Sequence, residues 1–416
     1  MAPSLFRAAR FDGRAAACIV ALALVAGSSF AAYGLNAELH LRPGPDEFNI
    51  AAWEVRHFPG KWLYLAGTLL EGTPSAERQE AGLRRFFALT RDIEAMERRL
   101  SDARRQPGEA SDPALLESLQ AALRERDELE NQVEATVESR LAWAIESAGI
   151  TRSFLDVVWP PVDFEFTDSP RTLVVSPRER LEVQSTDLLA PGLTLGDVER
   201  IEAEVEAGGG VSALAVETGG VSAYPNIIDY TAGYADAVET VAHEWMHNYL
   251  FFRPLGFNYY DSNDLRAINE TVADLAGREL ARIVLSRWPA ADGEAPAPST
   301  AAPGPPSFDA GAELRALRGE VEALLAAGRV EEAEALMEAR RRELAARGFY
   351  IRRLNQAYFA FTNLYAGPGG SPAATNPIGP KIAELRARSG TLKRFVERLS
   401  GVTSAAELDR LLASPE

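Results

Sequence analysis

The sequence predicts an α+β protein with one transmembrane helix near its amino terminus. Three observations support this prediction. An uncharged run covers residues 15–37, densely charged segments with helical periodicity cover 76–148 and 310–347, and short β-rich segments lie between them in 150–225. Strands and helices thus occupy separate stretches of the chain, which is typical of an α+β fold.

The composition limits the classes of protein to which this chain can belong. It has 416 residues, of which 46% are hydrophobic and 25% charged, and a net charge of −17. This composition is typical of a globular protein, and the length allows roughly two or three structural units. The acidic balance argues against nucleic acid as the main partner, because phosphate binding needs clustered Lys and Arg. The single cysteine, Cys18, excludes an internal disulfide framework and a cysteine-based zinc finger.

The amino-terminal run has the length and the flanking charges of a membrane anchor. Its core, Ala15–Leu35, is long enough to cross the hydrocarbon layer at about 1.5 Å per residue. Arginines precede the run and acidic residues follow it, so the positive-inside rule puts the amino terminus in the cytoplasm. We therefore expect a single-pass protein of the cell membrane with an extracytoplasmic body. A cleaved signal peptide with the small-x-small site Ser29–Ala31 is the alternative, and it would make the protein secreted.

The chain divides into five regions by pattern. They are an anchor or signal peptide (1–37), a helical region (38–148), a central region with β-rich segments and two strong helices (149–288), a flexible loop (289–309) and a carboxy-terminal helical region (310–416). Pro, Ala and Gly dominate the loop, which is typical of a mobile surface segment.

A charged helical hairpin is predicted in the first helical region. Its helices are Ala76–Arg105 and Pro113–Ala148, in which leucines recur at helical spacing. Asp112 followed by Pro113 is a good helix start, because a capping residue precedes a proline at the first helical position. The hairpin could bind a partner, or it could pack on the body as a solvated pair of helices; the pattern leaves both open.

The central region begins with the segments that we expect to form a sheet. Strands are predicted at 162–166, 172–177 and 212–218, where β-rich residues are bounded by Pro or Gly, and a fourth candidate strand covers 181–185. A helix near Leu195–Ala207 separates the last of these strands from the others.

Beyond the flexible loop the sequence predicts mainly helices. A charged helical pair covers 310–347 with a break at Gly328-Arg329, and the aromatic-rich segment 348–366 is expected to be helical. A Gly/Pro loop at 367–380 and two short helices complete the chain.

The residues with the clearest chemical meaning lie in a predicted helix of the central region. His243 to His247 reads HEWMH, an H-E-x-x-H pattern. Residues i and i+4 lie on one face of a helix, so both imidazoles can reach one metal ion, and Glu244 can hold a water bound to that ion. The other two histidines, His40 and His57, are isolated, and we expect them at the surface or at an interface.

Two histidines do not complete a catalytic zinc site, which takes three protein ligands and a water. No cysteine lies nearby, so the third ligand should be a carboxylate. Glu270, 23 residues after His247, is the candidate, on a second helix that Asp264 can cap. Asp274 lies on the same face as Glu270 and can accept a hydrogen bond from a ligand histidine. The small residue Gly277 on that face allows the two helices to approach closely.

HEWMH followed by INETVAD resembles the gluzincin metallopeptidases, the thermolysin-like family whose signature is H-E-x-x-H and then N-E-x-x-x-D on the next helix. The resemblance covers residues near 239–275. It implies that His243, His247 and Glu270 bind Zn²⁺. It also implies that Glu244 acts as the base and that Asp274 orients His243. The fold that it implies is a gluzincin-like catalytic core, a small mixed sheet with active-site helices, in the region 149–288.

The resemblance also indicates where a substrate would bind. In that family a sheet edge before the active helix holds the substrate backbone. The stretch 219–224 is placed to do this, and within it Gly220, Val221 and Ser222 are the candidate substrate-binding residues.

The sequence departs from thermolysin in one respect. That enzyme uses a downstream histidine to stabilise the oxyanion, and this chain has no histidine after His247. The function would fall to Tyr, Arg or Asn, and Tyr358 in LNQAYFAF is the preferred candidate. The other candidates are Tyr350, Arg352, Arg353, Asn355 and Tyr365.

The function that the resemblance implies is a zinc-dependent metallopeptidase that cleaves a peptide or protein substrate outside the cytoplasmic membrane. Two alternatives remain. A strict aminopeptidase would need an acidic anchor for the substrate amine, and the chain has no GAMEN-like motif. A catalytically inactive, membrane-anchored zinc scaffold would bind a partner through its helical hairpins. The sequence does not determine the substrate, the choice between internal and terminal cleavage, or the oligomeric state.

Overall fold

The computed structural model describes residues 46–50, 52–54, 56–57, 74–105, 112–150, 158–230, 233–289, 308–367 and 370–414. The predicted transmembrane helix and nearly all of the predicted flexible loop lie outside these residues. No helix within the described ranges is both long and apolar enough to cross a membrane.

The charged hairpin forms as predicted, with helices α1 (Ala76–Arg105) and α2 (Pro113–Ala148). Asp112 caps α2 by accepting a hydrogen bond from the Ala114 N–H, and Gly149 ends it in the left-handed region at a φ of 69°. Phe86 on α1 and Val137 on α2 are fully buried in the largest hydrophobic core. This part of the hairpin therefore packs on the body of the protein.

Two small sheets follow α2, and they confirm the α+β class. Their elements are β1 (Phe164–Phe166), β2 (Arg171–Pro177), β3 (Ser185–Leu189), helix α3 (Leu195–Glu206), β4 (Val211–Glu217), β5 (Gly220–Val221) and β6 (Asn226–Ile228). The first sheet is antiparallel, in the order β3-β2-β4, with Val174 opposite Leu214. The second has the order β1-β6-β5, with β1 parallel and β5 antiparallel to β6.

The candidate strand at 181–185 is displaced. The strand covers Ser185–Leu189 and pairs with β2 in antiparallel register, with Ser185 opposite Val175. Residues 178–184 form the return between the two strands, and the Gln184 N–H donates to the Val175 carbonyl at 2.8 Å. The partner strand thus decides where β3 begins, which its own composition does not specify.

The remaining elements are helical. They are α4 (Tyr234–Phe251), α5 (Pro254–Phe257), α6 (Asn263–Arg287), α7 (Ala310–Ala326), α8 (Val330–Ala346), α9 (Gln356–Thr362), α10 (Ile378–Arg388), α11 (Leu392–Ser400) and α12 (Ala405–Ala413). The predicted break at Gly328-Arg329 is confirmed. Ser262, and not Asp264, caps α6, because its Oγ accepts the Leu265 N–H.

Two predictions for the carboxy-terminal region are wrong. Only Gln356–Thr362 is helical within 348–366, and three short helices follow instead of two. Asn355 has an extended backbone and accepts the Tyr358 N–H with its side chain, so the helix cannot begin before it.

The antiparallel sheet packs between two helices. Leu173 and Val175 of β2 share a core with Val198 of α3. Val174, the alternate residue, shares a different core with Ala357 of α9. Because side chains alternate along a strand, α9 and the segment after it lie on the opposite face of the sheet from α3.

Helices α4 and α6 pack against each other in the largest core, where Trp245 and Ile268 are inaccessible to solvent. They approach closely at Gly277, where an added Cβ would lie 3.0 Å from the His243 backbone nitrogen. A side chain at residue 277 would push α6 away from α4. Glycine therefore sets the distance between the two helices, as the sequence predicts.

A buried ion-pair cluster ties the segment before α9 to α3. Glu202 is fully buried, accepts the Ala215 N–H at 2.7 Å, and binds Arg352 and Arg353 at 2.9 and 3.0 Å. Burial alone would raise the pKa of Glu202, but the arginines and the amide hold it below its ordinary value of 4.5. The charged carboxylate therefore stabilises the folded state.

Glu202→Gln is expected to lower the free energy of unfolding by about 2–3 kcal/mol, because two guanidinium groups lose their shared counter-charge. The stabilisation by Glu202 is complete above its ordinary pKa of 4.5 and is lost as the pH falls. Urea unfolding at neutral pH and in a series of more acidic buffers measures both effects, and the difference from wild type should shrink with acidity. Glu199→Gln, exposed on the same helix, is the control. Equal losses in the two variants would contradict the prediction.

Candidate metal centre

Three side chains from α4 and α6 converge on one point. His243 and His247 lie one turn apart on α4, and Glu270 lies on the facing side of α6. His243 Nε2 and His247 Nε2 are 3.0 Å apart, and Glu270 Oε2 is 3.6 Å from the first and 3.5 Å from the second. All three side chains are largely buried. The structure thus brings the predicted ligand set together.

The triangle of ligand atoms has the size that one metal ion requires. Two atoms that each lie about 2.1 Å from an ion at a tetrahedral angle are about 3.4 Å apart, and the observed separations are 3.0, 3.5 and 3.6 Å. Two imidazole nitrogens and one carboxylate oxygen suit zinc and neighbouring first-row ions. These residues can therefore hold such an ion without movement of the helices.

Hydrogen bonds behind the imidazoles determine which nitrogens face the cluster. His243 Nδ1 is 3.2 Å from Asp274 Oδ1, and His247 Nδ1 is 2.7 Å from Asn269 Oδ1. Both partner atoms are acceptors, so each Nδ1 carries a proton and each Nε2 can present its lone pair to a metal. The sequence predicts the position of Asp274. It assigns no role to Asn269, although this residue is the Asn of the N-E-x-x-x-D pattern.

Glu270 is oriented by a tyrosine from the connection between α5 and α6. The Tyr259 hydroxyl donates to Glu270 Oε1 at 2.7 Å, so Oε2 is the oxygen that faces the histidines. Burial raises the pKa of Tyr259 well above its ordinary value, and the charge of Glu270 raises it further. The phenol therefore keeps its proton. Tyr259 lies in an irregular segment without periodicity, so the sequence pattern does not single it out.

Negative charge surrounds the two imidazoles. Burial lowers the pKa of His243, but hydrogen bonds to Asp274 and Glu270 raise it well above its ordinary value. Burial also lowers the pKa of His247, and Glu270 more than compensates. The histidines in turn hold the pKa of Glu270 far below its ordinary value in spite of its burial. The cluster therefore favours positive charge, as a cation site must.

The Glu244 carboxylate lies beside this cluster and is not one of its three converging groups. Burial raises the pKa of Glu244, and the two histidines partly oppose that rise. Strand β5 passes close to the carboxylate, because a Cβ on Gly220 would lie 2.8 Å from Glu244 Oε1. Glycine at residue 220 is therefore needed for the strand to come this near.

The predicted substrate-binding residues, 220–222, lie on an edge strand next to Glu244. Strand β5 pairs with β6 on one side, and no described strand pairs with its other side. Val221 contributes its side chain to the core around Trp53. Ser222 donates to Asn248 Oδ1 at 2.9 Å, which ties the end of this strand to α4. The side chain of Val221 therefore serves packing, whereas its neighbours face the helix that carries the histidines.

Tyr358, the preferred candidate for stabilising an oxyanion, is not brought to the cluster. Its ring packs between two other cores, around α7 and α8 on one side and β2 on the other. Burial raises its pKa, and no carboxylate of the cluster contributes to that rise. The structure therefore places Tyr358 outside the candidate site.

Most of the other oxyanion candidates also have different surroundings. Tyr350 is exposed, Arg352 and Arg353 bind Glu202, and Asn355 caps α9. Among the isolated histidines, His57 stacks on Trp53 with ring centroids 4.5 Å apart, and His40 lies outside the described residues.

Tyr365 is the exception, because the segment after α9 packs against α6. A Cβ on Gly367 would lie 3.0 Å from Thr271 Cγ2, one residue beyond Glu270. Burial raises the pKa of the Tyr365 phenol well above its ordinary value, and the charges of Glu270 and Glu244 raise it further. Tyr365 thus keeps its proton within the field of the cluster and can act there as a hydrogen-bond donor.

Asp274→Asn is expected to weaken zinc affinity by about 10–100-fold while the fold is retained, because the amide no longer supplies the charge that orients and polarises His243. Competition with a chromophoric chelator measures the affinity. Asp264→Asn, exposed on the first turn of the same helix, is the control and should bind zinc like the wild type. Unchanged affinity in the Asp274 variant would remove this residue from the site.

No protein-family model, curated protein or solved structure matches this chain. Its chemistry is therefore inferred from the side chains themselves, above all from the triangle of His243, His247 and Glu270.

Proposed function

We propose that this chain is a zinc-dependent metallopeptidase of the gluzincin type. The observation that carries the proposal is the triangle of His243 Nε2, His247 Nε2 and Glu270 Oε2, with sides of 3.0, 3.5 and 3.6 Å. The buried Glu244 carboxylate lies beside it. Three protein ligands with a neighbouring carboxylate are typical of catalytic zinc, whereas structural zinc usually has four protein ligands.

Zn²⁺ held by these three residues would lower the pKa of a bound water to about 7 and polarise a carbonyl group. Glu244 would accept the proton of the attacking water and deliver it to the leaving amine. Burial raises the pKa of Glu244, which makes it a stronger base than an exposed glutamate.

The substrate backbone would bind along the edge of β5. An extended peptide that adds to a sheet edge is held by main-chain hydrogen bonds and needs few specific side chains. Gly220 lets the strand lie close to Glu244, and Ser222 ties its end to α4 through Asn248. A peptide bound along this edge would therefore pass next to the carboxylate that handles the proton.

Tyr365 would donate its hydroxyl hydrogen to the negative charge that develops on the carbonyl oxygen. Its raised pKa keeps the hydroxyl protonated in the field of Glu270 and Glu244. This assignment replaces Tyr358, because no carboxylate of the cluster contributes to the raised pKa of Tyr358.

We further propose that the reaction takes place outside the cytoplasmic membrane. The basis is the uncharged run 15–37, with arginines before it and acidic residues after it. A net charge of −17 favours a peptide or protein substrate over a nucleic acid.

The decisive experiment is product analysis of a peptide library by mass spectrometry, with the zinc-loaded full-length protein. We expect cleavage, loss of cleavage with a chelator, and recovery when zinc is returned. Products shortened one residue at a time would identify an exopeptidase, and internal cuts an endopeptidase. Retained zinc without cleavage of any peptide would reject the peptidase and favour the inactive scaffold.

A further inference from the structure

Arg266 is a buried cation that forms no ion pair with the described residues. It lies on α6, one turn before Glu270, and is only 8% exposed. Its Nε is fully buried and donates to no acceptor, and its guanidinium forms no hydrogen bond or ion pair with any residue in the described part of the chain. Its described partners are two aromatic rings, with Cζ 5.2 Å from the centroid of Tyr260 and 5.9 Å from that of Tyr259.

Two other arginines with similar burial have carboxylate partners. Arg140, 6% exposed, is 2.8 Å from Glu80, and Arg318, 3% exposed, is 2.9 Å from Glu322.

Arg126, also 8% exposed, resembles Arg266, because its Nε has no acceptor in the described part of the chain and its Cζ lies 3.5 Å from the Tyr230 ring centroid. The position of Arg266 beside the metal centre, and not its lack of an ion pair alone, therefore distinguishes it. Cation–π contacts offset part of the cost of removing the guanidinium from water. They leave its in-plane N–H donors unused, and those donors can bind an anion.

The guanidinium lies close to the metal centre. Tyr259 connects the two, because its ring contacts Arg266 and its hydroxyl donates to Glu270 Oε1 at 2.7 Å. Residues i and i+4 of a helix have Cβ atoms about 6 Å apart, and an extended peptide advances about 3.5 Å per residue. The Tyr259 ring centroid is 6.3 Å from that of His247, so the guanidinium lies at most about 12 Å from the His247 ring, a distance that about three residues of extended peptide can span.

We propose that Arg266 binds the carboxylate at the free carboxy terminus of the substrate, within about three residues of the bond that is cut. This inference rests on the proposed peptidase function and narrows its substrates to peptides with a free carboxy terminus near that bond. Arginine suits the ligand because its planar fork binds a carboxylate with two parallel hydrogen bonds. An Asp or Glu side chain at the same place in a longer peptide offers the same carboxylate group. The test distinguishes the terminal carboxylate from a side-chain carboxylate.

The test measures retention of peptides and does not depend on cleavage. Immobilised, zinc-loaded full-length protein carrying Glu244→Gln is incubated with random tetrapeptides, synthesised once as free acids and once as amides. We expect the acids to be retained about 10–100-fold more strongly than the amides. Adding Arg266→Met should abolish this preference, and Arg266→Lys should keep only part of it. Arg282→Met, exposed on the same helix, is the matched control and should leave it intact.

The Tm of thermal unfolding distinguishes a binding arginine from a structural one, because loss of a structural arginine would lower it. Arg266→Met removes an uncompensated buried cation, so its Tm should be no lower than that of the wild type. A Tm that falls together with unchanged acid preference would assign Arg266 to packing and overturn the proposal. Peptide amides that contain Asp or Glu could be retained as strongly as the free acids. That result would overturn binding of the terminal carboxylate and assign the bound carboxylate to a side chain.

The inference and the proposed function fail separately. Equal retention of acids and amides, or retention of neither, would overturn the proposal for Arg266 even if the wild type cleaves peptides. The free acids could be retained in a manner that depends on Arg266 while the wild type cleaves no peptide. This outcome would support peptides with a free carboxy terminus as the ligands and reject the peptidase function.

Discussion

Replacement of Glu244 by glutamine is expected to lower kcat by about 10²–10⁴-fold without loss of the bound metal. Glutamine has the shape of glutamate but cannot accept the proton of the attacking water. Glu244 is not among the groups that converge on the metal position, so zinc content should remain that of the wild type. The substrate KM should change little, because the lost interaction belongs to the transition state.

Steady-state cleavage of one library peptide measures the change in kcat, and elemental analysis of the same samples measures zinc. Glu239→Gln is the matched control, since Glu239 is exposed on the same helix and binds Arg278 at 3.1 Å. Turnover near the wild-type rate in the Glu244 variant would mean that another group takes the proton. Loss of zinc from that variant would mean that Glu244 supports the ligands and does not serve as the base.

Tyr365→Phe is expected to lower kcat by about 10²–10³-fold, the usual cost of removing one hydrogen-bond donor to a developing oxyanion. The ring, and with it the packing of the segment after α9, remains. Because the hydrogen bond strengthens as negative charge develops, KM and zinc affinity should stay close to wild type. The measurement is the same peptide assay with zinc analysis.

Tyr358→Phe provides the matched control, because it removes the same hydroxyl from the same part of the chain. No carboxylate of the cluster contributes to the raised pKa of Tyr358, so the kcat of this variant should equal that of the wild type. A large loss in Tyr358→Phe and none in Tyr365→Phe would reverse the assignment made from the structure. Equal small losses in both would mean that the oxyanion is stabilised by neither tyrosine.

Elements bounded by local signals are predicted well from the sequence. Helices α1 and α2 begin and end where leucine periodicity, Asp112 and the following Pro113 indicate, because caps and periodicity act within a few residues.

Prediction from the sequence fails where contacts with distant segments determine the bounds of an element. Within 348–366 the aromatic residues from Tyr358 onward pack in two cores, whereas Phe349 and Tyr350 are exposed, so their pattern does not indicate a continuous helix. Strand β3 starts where its pairing with β2 requires.

The residues of the candidate site also fall into those predicted by local spacing and those that only tertiary contacts bring to the site. His243, His247, Glu270 and Asp274 follow from spacing along two helices, because residues i and i+4 must share a face. Asn269 and Tyr259 interact with these side chains through contacts that no period in the sequence marks. Such contacts join an irregular loop or a neighbouring residue to the site only after the chain has folded.

The sequence by itself determined the class of the fold, the helical hairpins and the four acidic and imidazole side chains that meet at the centre. The tertiary structure decided the rest. The packing of Gly367 on α6 accompanies a Tyr365 phenol whose pKa is raised by the charges of Glu270 and Glu244, whereas burial alone raises the pKa of Tyr358. The tertiary structure also left the buried Nε of Arg266 without an acceptor in the described part of the chain. Helical spacing is a local property of the backbone, whereas the distance between charges on separate segments exists only in the packed molecule.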